Sequence, residues 1–447
     1  MSSAFLPAIL TALGEDPSSA AEVRSTGDAL LPLLPSPLPV GILAHDSVAA
    51  VSLLARPGAG EIRLDPATVA TAYTSERHFR LDGALPSAWA PLSGFWPTAD
   101  GWLRTHANYP HHRDRLLTAL RLPAEAAPAH LAARLTETTA EEAEEAIVAA
   151  NGIAAAVRTE AEAAAAPARA AVTGAPLLRR DRIGEGEPLP AIDGGPVPLA
   201  GVRVLDLTRV IAGPVATRTL ALLGAEVLRL DSPDLPEAAF QHLDTGMGKR
   251  SALLHLSRDR EAFERLLSDA HVIVLGYRPG ALEGRGLSPA ELVARRPGLV
   301  VARLSAWGTS GPWSGRRGFD SIVQAASGIA AVTFRDGKPG VLPAQALDHS
   351  AGYLLAAGIL SALRAQRREG GSWLVETSLL RIATELLAAD RPEPPAPEPL
   401  LPRTLHRRTL SGHLTYAAPA LAFTGAPRDW RTVGDPWGSA APRWASN

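Results

Sequence analysis

Four runs rich in valine and leucine, GVRVLDLT (201–208), EVLRLD (226–231), HVIVLG (271–276) and LVVARLSAW (299–307), alternate with runs of helical character. Strand, helix, strand in that rhythm admits few folds. Consecutive strands must run parallel, because each crossover is long enough to hold a helix. Right-handed crossovers then build a doubly wound, Rossmann-like α/β sheet. The first crossover, RVIAGPVATRTLALLGA, starts its helix near Gly213-Pro214. Ligands of such sheets sit beyond the carboxyl ends of the strands, so the loops after Asp206, Asp231, Gly276 and Trp307 are the first places to search.

Two breaks in composition bound this unit. APLLRRDRIGEGEPLPAIDGGPVPLAG (175–201) and ADRPEPPAPEPLLPRT (389–404) are dense in Pro and Gly and read as extended connections. They divide the chain into residues 1–82, 83–178, a linker at 179–197, an α/β unit at 198–388 and a C-terminal segment at 389–447. The run TTAEEAEEAIVAA starts a helix, with a threonine cap followed by acids in the first turn. A loose internal repeat links 43–73 with 347–387: each sets Asp, His and Ser together ahead of an apolar helix, an Arg/Gly turn and a strand-helix. A real repeat makes the N-terminal third the back half of an incomplete second copy; the other reading is two apolar helices that look alike.

Composition narrows the function. At 447 residues the chain is long enough for two or three domains, and its net charge of −2 gives no field to gather nucleic acid or an anionic membrane. Cysteine is absent, which removes thiolate catalysis, disulfides and Cys-ligated metals. No apolar run reaches the ~18 residues of a membrane span, and the N-terminus lacks the basic region of a signal peptide. A cytoplasmic location is expected. His106, His111 and His112 lie close in sequence, but no acid completes a metal site. Asp348 heads the apolar run SAGYLLAAGIL, where an acid serves either as a helix cap or as a nucleophile.

Five stretches in order, PLAGVRVLDLTRVIAGPVATRTLALLGAEVLRLD, GKRSALLHL, LGYRPGALEGRGL, LSAWGTSGPWSGRRGFDSIVQAASG and ALDHSAGYLLAAGILSALRAQRREGGSWLVETSLL, resemble the family III CoA-transferases of the CaiB/BaiF type. TADGWLRTHANYPHHRDRLLTALRLP and GIAAAVRTEAEAAAAP resemble the two ends of that family's small α+β domain, here placed before the catalytic half. The resemblance implies transfer of CoA from an acyl-CoA to a small carboxylic acid. Asp348 matches the aspartate that attacks the thioester and carries CoA as an aspartyl thioester. Coenzyme A is then a substrate, and no tightly bound cofactor or metal is expected. Contacts to CoA fall on Val210, Ile211 and Ala212 at the first helix, on Lys249, Arg250 and Leu254 around a Lys-Arg-Ser turn, on Gly276, Tyr277, Arg278 and Arg285 around the Arg-Pro-Gly loop, and on Arg316, Arg317 and Phe319. The resemblance also implies an interlocked homodimer. Gly276 departs from the family's usual Asn, and the small domain's glycine-rich loop is missing. Two alternatives stay open: an α-methylacyl-CoA racemase-like isomerase, whose histidine would fall on Phe319, and a non-catalytic CoA-binding homologue.

Overall fold

The computed structural model describes residues 5–58, 60–87, 89–190, 198–393 and 395–445. Its centre is a seven-stranded sheet of β1 (Arg179–Gly184), β2 (Arg203–Leu207), β3 (Glu226–Asp231), β4 (Lys249–Leu253), β5 (Val272–Leu275), β6 (Val300–Ser305) and β7 (Ser372–Ser378). The strand order is β1-β7-β6-β5-β2-β3-β4. From β4 to β7 every neighbouring pair is parallel, and β1 closes the far edge antiparallel to β7. The chain therefore winds outward from β2 in both directions, and the order reverses between β2 and β5, where such sheets leave a crevice.

The four expected strands form with ends shifted by a residue or two. Two expectations about this sheet fail. The Lys-Arg-Ser segment is the edge strand β4 rather than a turn, because Val227 to Asp231 of β3 offers it a ladder. The linker expected at 179–197 begins with β1, which pairs Arg179 to Gly184 with β7. The rest of that linker is Glu185–Pro190 plus 191–197, and the latter lie outside the described residues.

Two helices dominate the interior. The helix α1 (Val40–Ala55) has nearly every residue buried, and it packs along the longest helix of the protein, Ala346–Glu369. A helix apolar on all sides must be covered on all sides. Ala346–Glu369 is long and apolar enough to cross a membrane by length and composition, which no uninterrupted run in the sequence suggested, yet its apolar window is wholly buried in the fold. Its other face meets α2 (Ala212–Leu222). Between α2 and that long helix lies α3 (Asp320–Ser327) in chain order, and the long helix is α4.

The α2–α4 approach depends on Gly352. A Cβ there would stand 2.6 Å from both the Ala212 carbonyl oxygen and Val215 Cβ. Gly352→Ala should lower stability by about 1–3 kcal/mol, the usual cost of forcing a methyl into a packed interface. Urea denaturation reads this directly, and an unchanged midpoint would contradict the helix spacing described.

A smaller α+β unit stands beside the sheet. It has three antiparallel strands, Gly94–Pro97, Trp102–Thr105 and Ala154–Ala156, with its own apolar core against the helices Pro110–Ala119, Pro128–Thr136 and Ala140–Ala149. Thr139 caps the last of these as expected, in a reciprocal pair with Glu142. Within 43–73, the step read as a strand is an isolated bridge from Ile62 to Val23. The C-terminal segment returns across the molecule. Its hairpin Thr404–Thr409/Gly412–Ala417 adds Arg80–Leu81 as a third strand. Trp430, Trp437 and Trp444 then pin it by indole hydrogen bonds to the Arg218 carbonyl, Asp231 Oδ2 and the Leu266 carbonyl.

Candidate active site

The crevice at the reversal of strand order is a real cleft of about 370 Å³. Its floor is the turn after β2. Val210 sits there with φ of 69°, a conformation that β-branched residues rarely adopt. Such strain persists only where the surroundings impose it. Here Glu237 imposes it by accepting the Val210 N–H at 3.2 Å. The same carboxylate accepts from Tyr109 Oη of the small unit and from Arg229 Nη2 at 3.0 Å, with Arg209 close by. Gly276, at the end of β5, comes so near Thr208 that a Cβ would lie 3.1 Å from Thr208 Cβ. Thr208 thus fills space that a side chain at 276 would need.

Asp348 enters this cleft from the first turn of α4. The cap reading does not fit: the N-cap position is Gln345, with no side-chain capping bond. Among the described residues the Asp348 carboxylate accepts no hydrogen bond, while its own N–H donates to Asp320 Oδ2 at 3.0 Å. Asp320 opens α3 and is further held by Gln324, whose Oε1 accepts the Leu342 N–H at 2.9 Å. Burial, then the neighbouring Asp320 and Glu76, pushes the Asp348 carboxyl well above the usual carboxylate range. Burial likewise pushes Asp320 up to about 6, against the amides of Asp348 and Leu347 and the Gln324 side chain.

The remaining walls differ in chemistry. Tyr109, His111, His112, Arg115 and Ile153 come from the small unit, and Arg209, Ser305 and Leu379 from the sheet unit. The His106 ring stacks on Phe319 with centroids 4.0 Å apart, and burial drives His106 and His112 down to about 3 and 2. These imidazoles are neutral and bring no charge to Asp348. Arg115, Arg278 and Arg317 also line the cleft, and none of them has an ion-pair partner among the described residues. Arg317 Nη1 donates instead to the Asn151 carbonyl and Oδ1, at 3.2 and 3.0 Å. Three unpaired guanidinium groups in one cleft make a site for an anion.

Residues 199–419 match the sequence profile of CoA-transferase family III. The α/β half of the chain belongs to that family. Of the curated relatives, the "Probable fatty acyl-CoA transferase Rv3272" of Mycobacterium tuberculosis is 34% identical over 229 residues, which are 45% of this chain and 58% of that protein. The "Succinyl-CoA--D-citramalate CoA-transferase" of Chloroflexus aurantiacus is 31% identical over 255 residues, 54% of this chain and 62% of the relative. A crystal structure of the M. tuberculosis protein aligns with 38% identity and a TM-score of 0.41, over 43% of this chain and 56% of that one. The chain spans about half the length of the curated relatives it matches.

With the family III segment placed, the residues that the sequence singled out fall into two groups. Val210, Ile211, Ala212, Gly276, Tyr277, Arg278, Arg316, Arg317, Phe319 and Asp348 all line the cleft. Lys249, Arg250, Leu254 and Arg285 do not. Lys249 is 2% exposed; its ammonium donates to Asp206 Oδ2 at 2.9 Å and to the Pro214 carbonyl at 3.0 Å, inside the sheet–helix layer. Arg250 pairs with Glu226 and the Arg443 carbonyl on the outer edge, and Leu254 is core. Arg285 lies in the turn Glu283–Arg285, away from the lining. Arg316, although in the wall, is already paired with Glu144 at 2.8 Å.

Sequence reasoning passed over Asp320, although it follows Phe319 at a helix start inside a quoted motif, which is a readable signal. It weighed the histidines of the small unit only as metal ligands, and no cluster of metal-binding residues forms among the described residues. The His45-Asp46-Ser47 echo lies in the interior of α1. His45 Nδ1 is 2.8 Å from Asp46 Oδ1 and His45 Nε2 is 3.0 Å from Ser25 Oγ. This resembles a nucleophile relay in geometry. However, Ser25 Oγ also accepts the Leu64 N–H at 3.0 Å, and Asp46 Oδ2 accepts from Phe5 and Leu6. The relay fastens four chain segments, at Phe5–Leu6, Ser25, His45–Asp46 and Leu64, to one another.

Proposed function

We propose that the protein moves coenzyme A from an acyl-CoA to a carboxylic acid, with Asp348 as the covalent carrier. The observation that supports this most is the buried, unpartnered Asp348 carboxylate facing the cleft of a family III segment. Its oxygen attacks the thioester carbonyl, the C–S bond breaks, and CoA leaves as a thiolate with an acyl-aspartyl anhydride left behind. The thiolate then attacks the aspartyl carbonyl and releases the donor acid, giving an aspartyl-CoA thioester. The acceptor carboxylate repeats the two steps in reverse and departs as a new acyl-CoA. Arg115, Arg278 and Arg317 attract the anionic groups of CoA, and the apolar side chains of Ile153, Ile211, Leu304 and Leu379 shelter the reacting carbonyl from water.

The isomerase reading would put its histidine at position 319, and the Phe319 that stands there carries no transferable proton. Homodimer formation and a cytoplasmic location belong to the transferase proposal, although one chain lines the cleft from both its units. Intact-mass spectrometry after incubation with a panel of acyl-CoAs, with hydroxylamine trapping, tests the reading. A CoA-sized adduct that maps to Asp348 and vanishes in Asp348→Ala is expected. CoA binding by calorimetry without any adduct would instead mark a binding protein.

A further inference from the structure

Asp320 is fully buried, and the transfer chemistry described gives it no task. It stands at the start of α3, 28 residues ahead of Asp348. The donor it serves belongs to another helix. The first N–H groups of a helix have no partner inside it, and an N-cap side chain ordinarily accepts from the second or third of them. In α4 the N-cap is Gln345, which makes no such bond. The second and third positions of α4 are Leu347 and Asp348. Asp320 Oδ2 accepts the Asp348 N–H at 3.0 Å, and the Leu347 amide also faces this carboxylate. The helix is therefore capped across space by α3.

This arrangement matters most for the residue at the third position. An acid there commonly turns back to the N-cap N–H, as Glu142 does toward Thr139 in the small unit. Asp348 makes no bond of that kind: among the described residues its carboxylate accepts no hydrogen bond, and it lines the cleft. Both of its oxygens stay available because a different acid does the capping. Asp320 is itself braced. Gln324, one turn further along α3 and equally buried, donates from Nε2 to Asp320 Oδ1 and accepts the Leu342 N–H on Oε1 at 2.9 Å. Leu342 lies just before Gln345 in the chain. One turn of α3 thus holds the backbone on both sides of the entry into α4.

From this geometry, and resting on Asp348 as nucleophile, we infer that Asp320 is a positioning residue of the transfer reaction: by accepting the Asp348 N–H it fixes the turn that presents the nucleophile and leaves the Asp348 carboxylate free to react. The reaction cycle rewards such an anchor. The Asp348 carboxyl becomes an acyl anhydride, then a CoA thioester, then an anhydride again, and every attack needs the same approach to the carbonyl. A hydrogen bond to the Asp348 side chain would change at each of these steps. One from its backbone N–H lasts through all of them. The bond needs only an acceptor oxygen, which the Asp320 carboxyl offers whether ionised or protonated.

The test compares the single-turnover rate of adduct formation at Asp348, with an acyl-CoA that labels the unaltered protein, against CoA affinity measured by calorimetry. Asp320→Ala should slow adduct formation on the order of 10²-fold, the penalty for a reacting group displaced by about 1 Å. CoA affinity should stay within about twofold, since the loss falls on the chemical step and not on binding. Asp320→Asn keeps an oxygen for the Asp348 N–H and should stay within about tenfold of the unaltered rate. Gln324→Ala loosens Asp320 without removing it and should slow the step roughly three- to tenfold, which keeps the inference testable if Asp320→Ala does not fold. An unchanged rate in Asp320→Ala, or in Gln324→Ala where that variant stands in for it, would overturn the inference. Equal losses in the Ala and Asn variants, or a loss of CoA affinity in step with the rate, would overturn it too. Absence of any adduct in the unaltered protein would instead overturn the nucleophile reading.

Discussion

Asp348→Asn should reduce CoA transfer by on the order of 10³-fold or more, the scale on which loss of a covalent nucleophile is felt. It should leave CoA affinity near its original value. The amide keeps the shape of the carboxylate and the Asp348 N–H to Asp320, but it cannot form the anhydride. The same substitution should raise stability at neutral pH. Burial, Asp320 and Glu76 raise the proton affinity of Asp348 in the folded protein. A group whose folded pKa lies above its unfolded value weakens folding as pH climbs past the unfolded value, because the unfolded chain then releases a proton that the native state still holds. The unaltered protein should therefore lose stability relative to Asp348→Asn from about pH 4 upward, with the two curves meeting below that. Thermal melts across pH 3 to 8 and a steady-state transfer assay measure both effects. A less stable Asn variant would mean that the carboxylate has a structural partner.

Lys249→Met should cost about 3–5 kcal/mol, the range for removing one partner of a buried ion pair. Lys249 and Asp206 are fully enclosed, and Asp206 is further bonded to the Thr208 and Thr217 hydroxyls. The two partners carry unequal loads. For Asp206, burial pushes the carboxyl up, but Lys249, Arg229 and the hydroxyls outweigh it and hold it below the usual range. For Lys249, burial outweighs Asp206 and pulls the ammonium down to about 8. The depressed lysine means that the native state releases that proton more readily than the unfolded chain. The lysine term alone therefore favours folding more as pH rises from about 8 toward its unfolded value. In the Met variant Asp206 stays buried without its main counter-charge, and stability should fall most above pH 4. Chemical denaturation at pH 7 checks the magnitude. The double change Asp206→Leu with Lys249→Met should recover most of the loss, since both ends of the pair then turn apolar.

Much of this was readable beforehand because parallel strands buried on both faces leave a strong print. VLDL, VLRL, VIVL and VVARLS are all strands, and Asp348 was found from one acid heading an apolar run. What escaped notice depends on distance through space. KRSALLHL looks like a basic turn, and only the neighbouring β3 makes it a strand whose lysine turns inward. The highly charged RRDRIG run reads as linker, yet it has the free edge of β7 to pair with. Glu76, in YTSERHF, carries no local signal. It meets His349, more than two hundred residues later, only through the fold. Tyr109 and Arg115 belong to the cleft for the same reason: a separate unit happens to form its opposite wall.

The partnership of α1 with α4 has a consequence for how the chain is made. The two helices are about 300 residues apart, and α1 is buried on every side once they meet. At a synthesis rate of roughly 5–20 residues per second, α1 waits about 15–60 s for the surface that covers it. During that time an apolar helix is exposed to every other nascent chain nearby. Slow translation or scarce chaperone should therefore harm the yield of this protein more than its final stability suggests, and shortening the wait by expressing 198–445 ahead of 5–190 on a rearranged chain should relieve it.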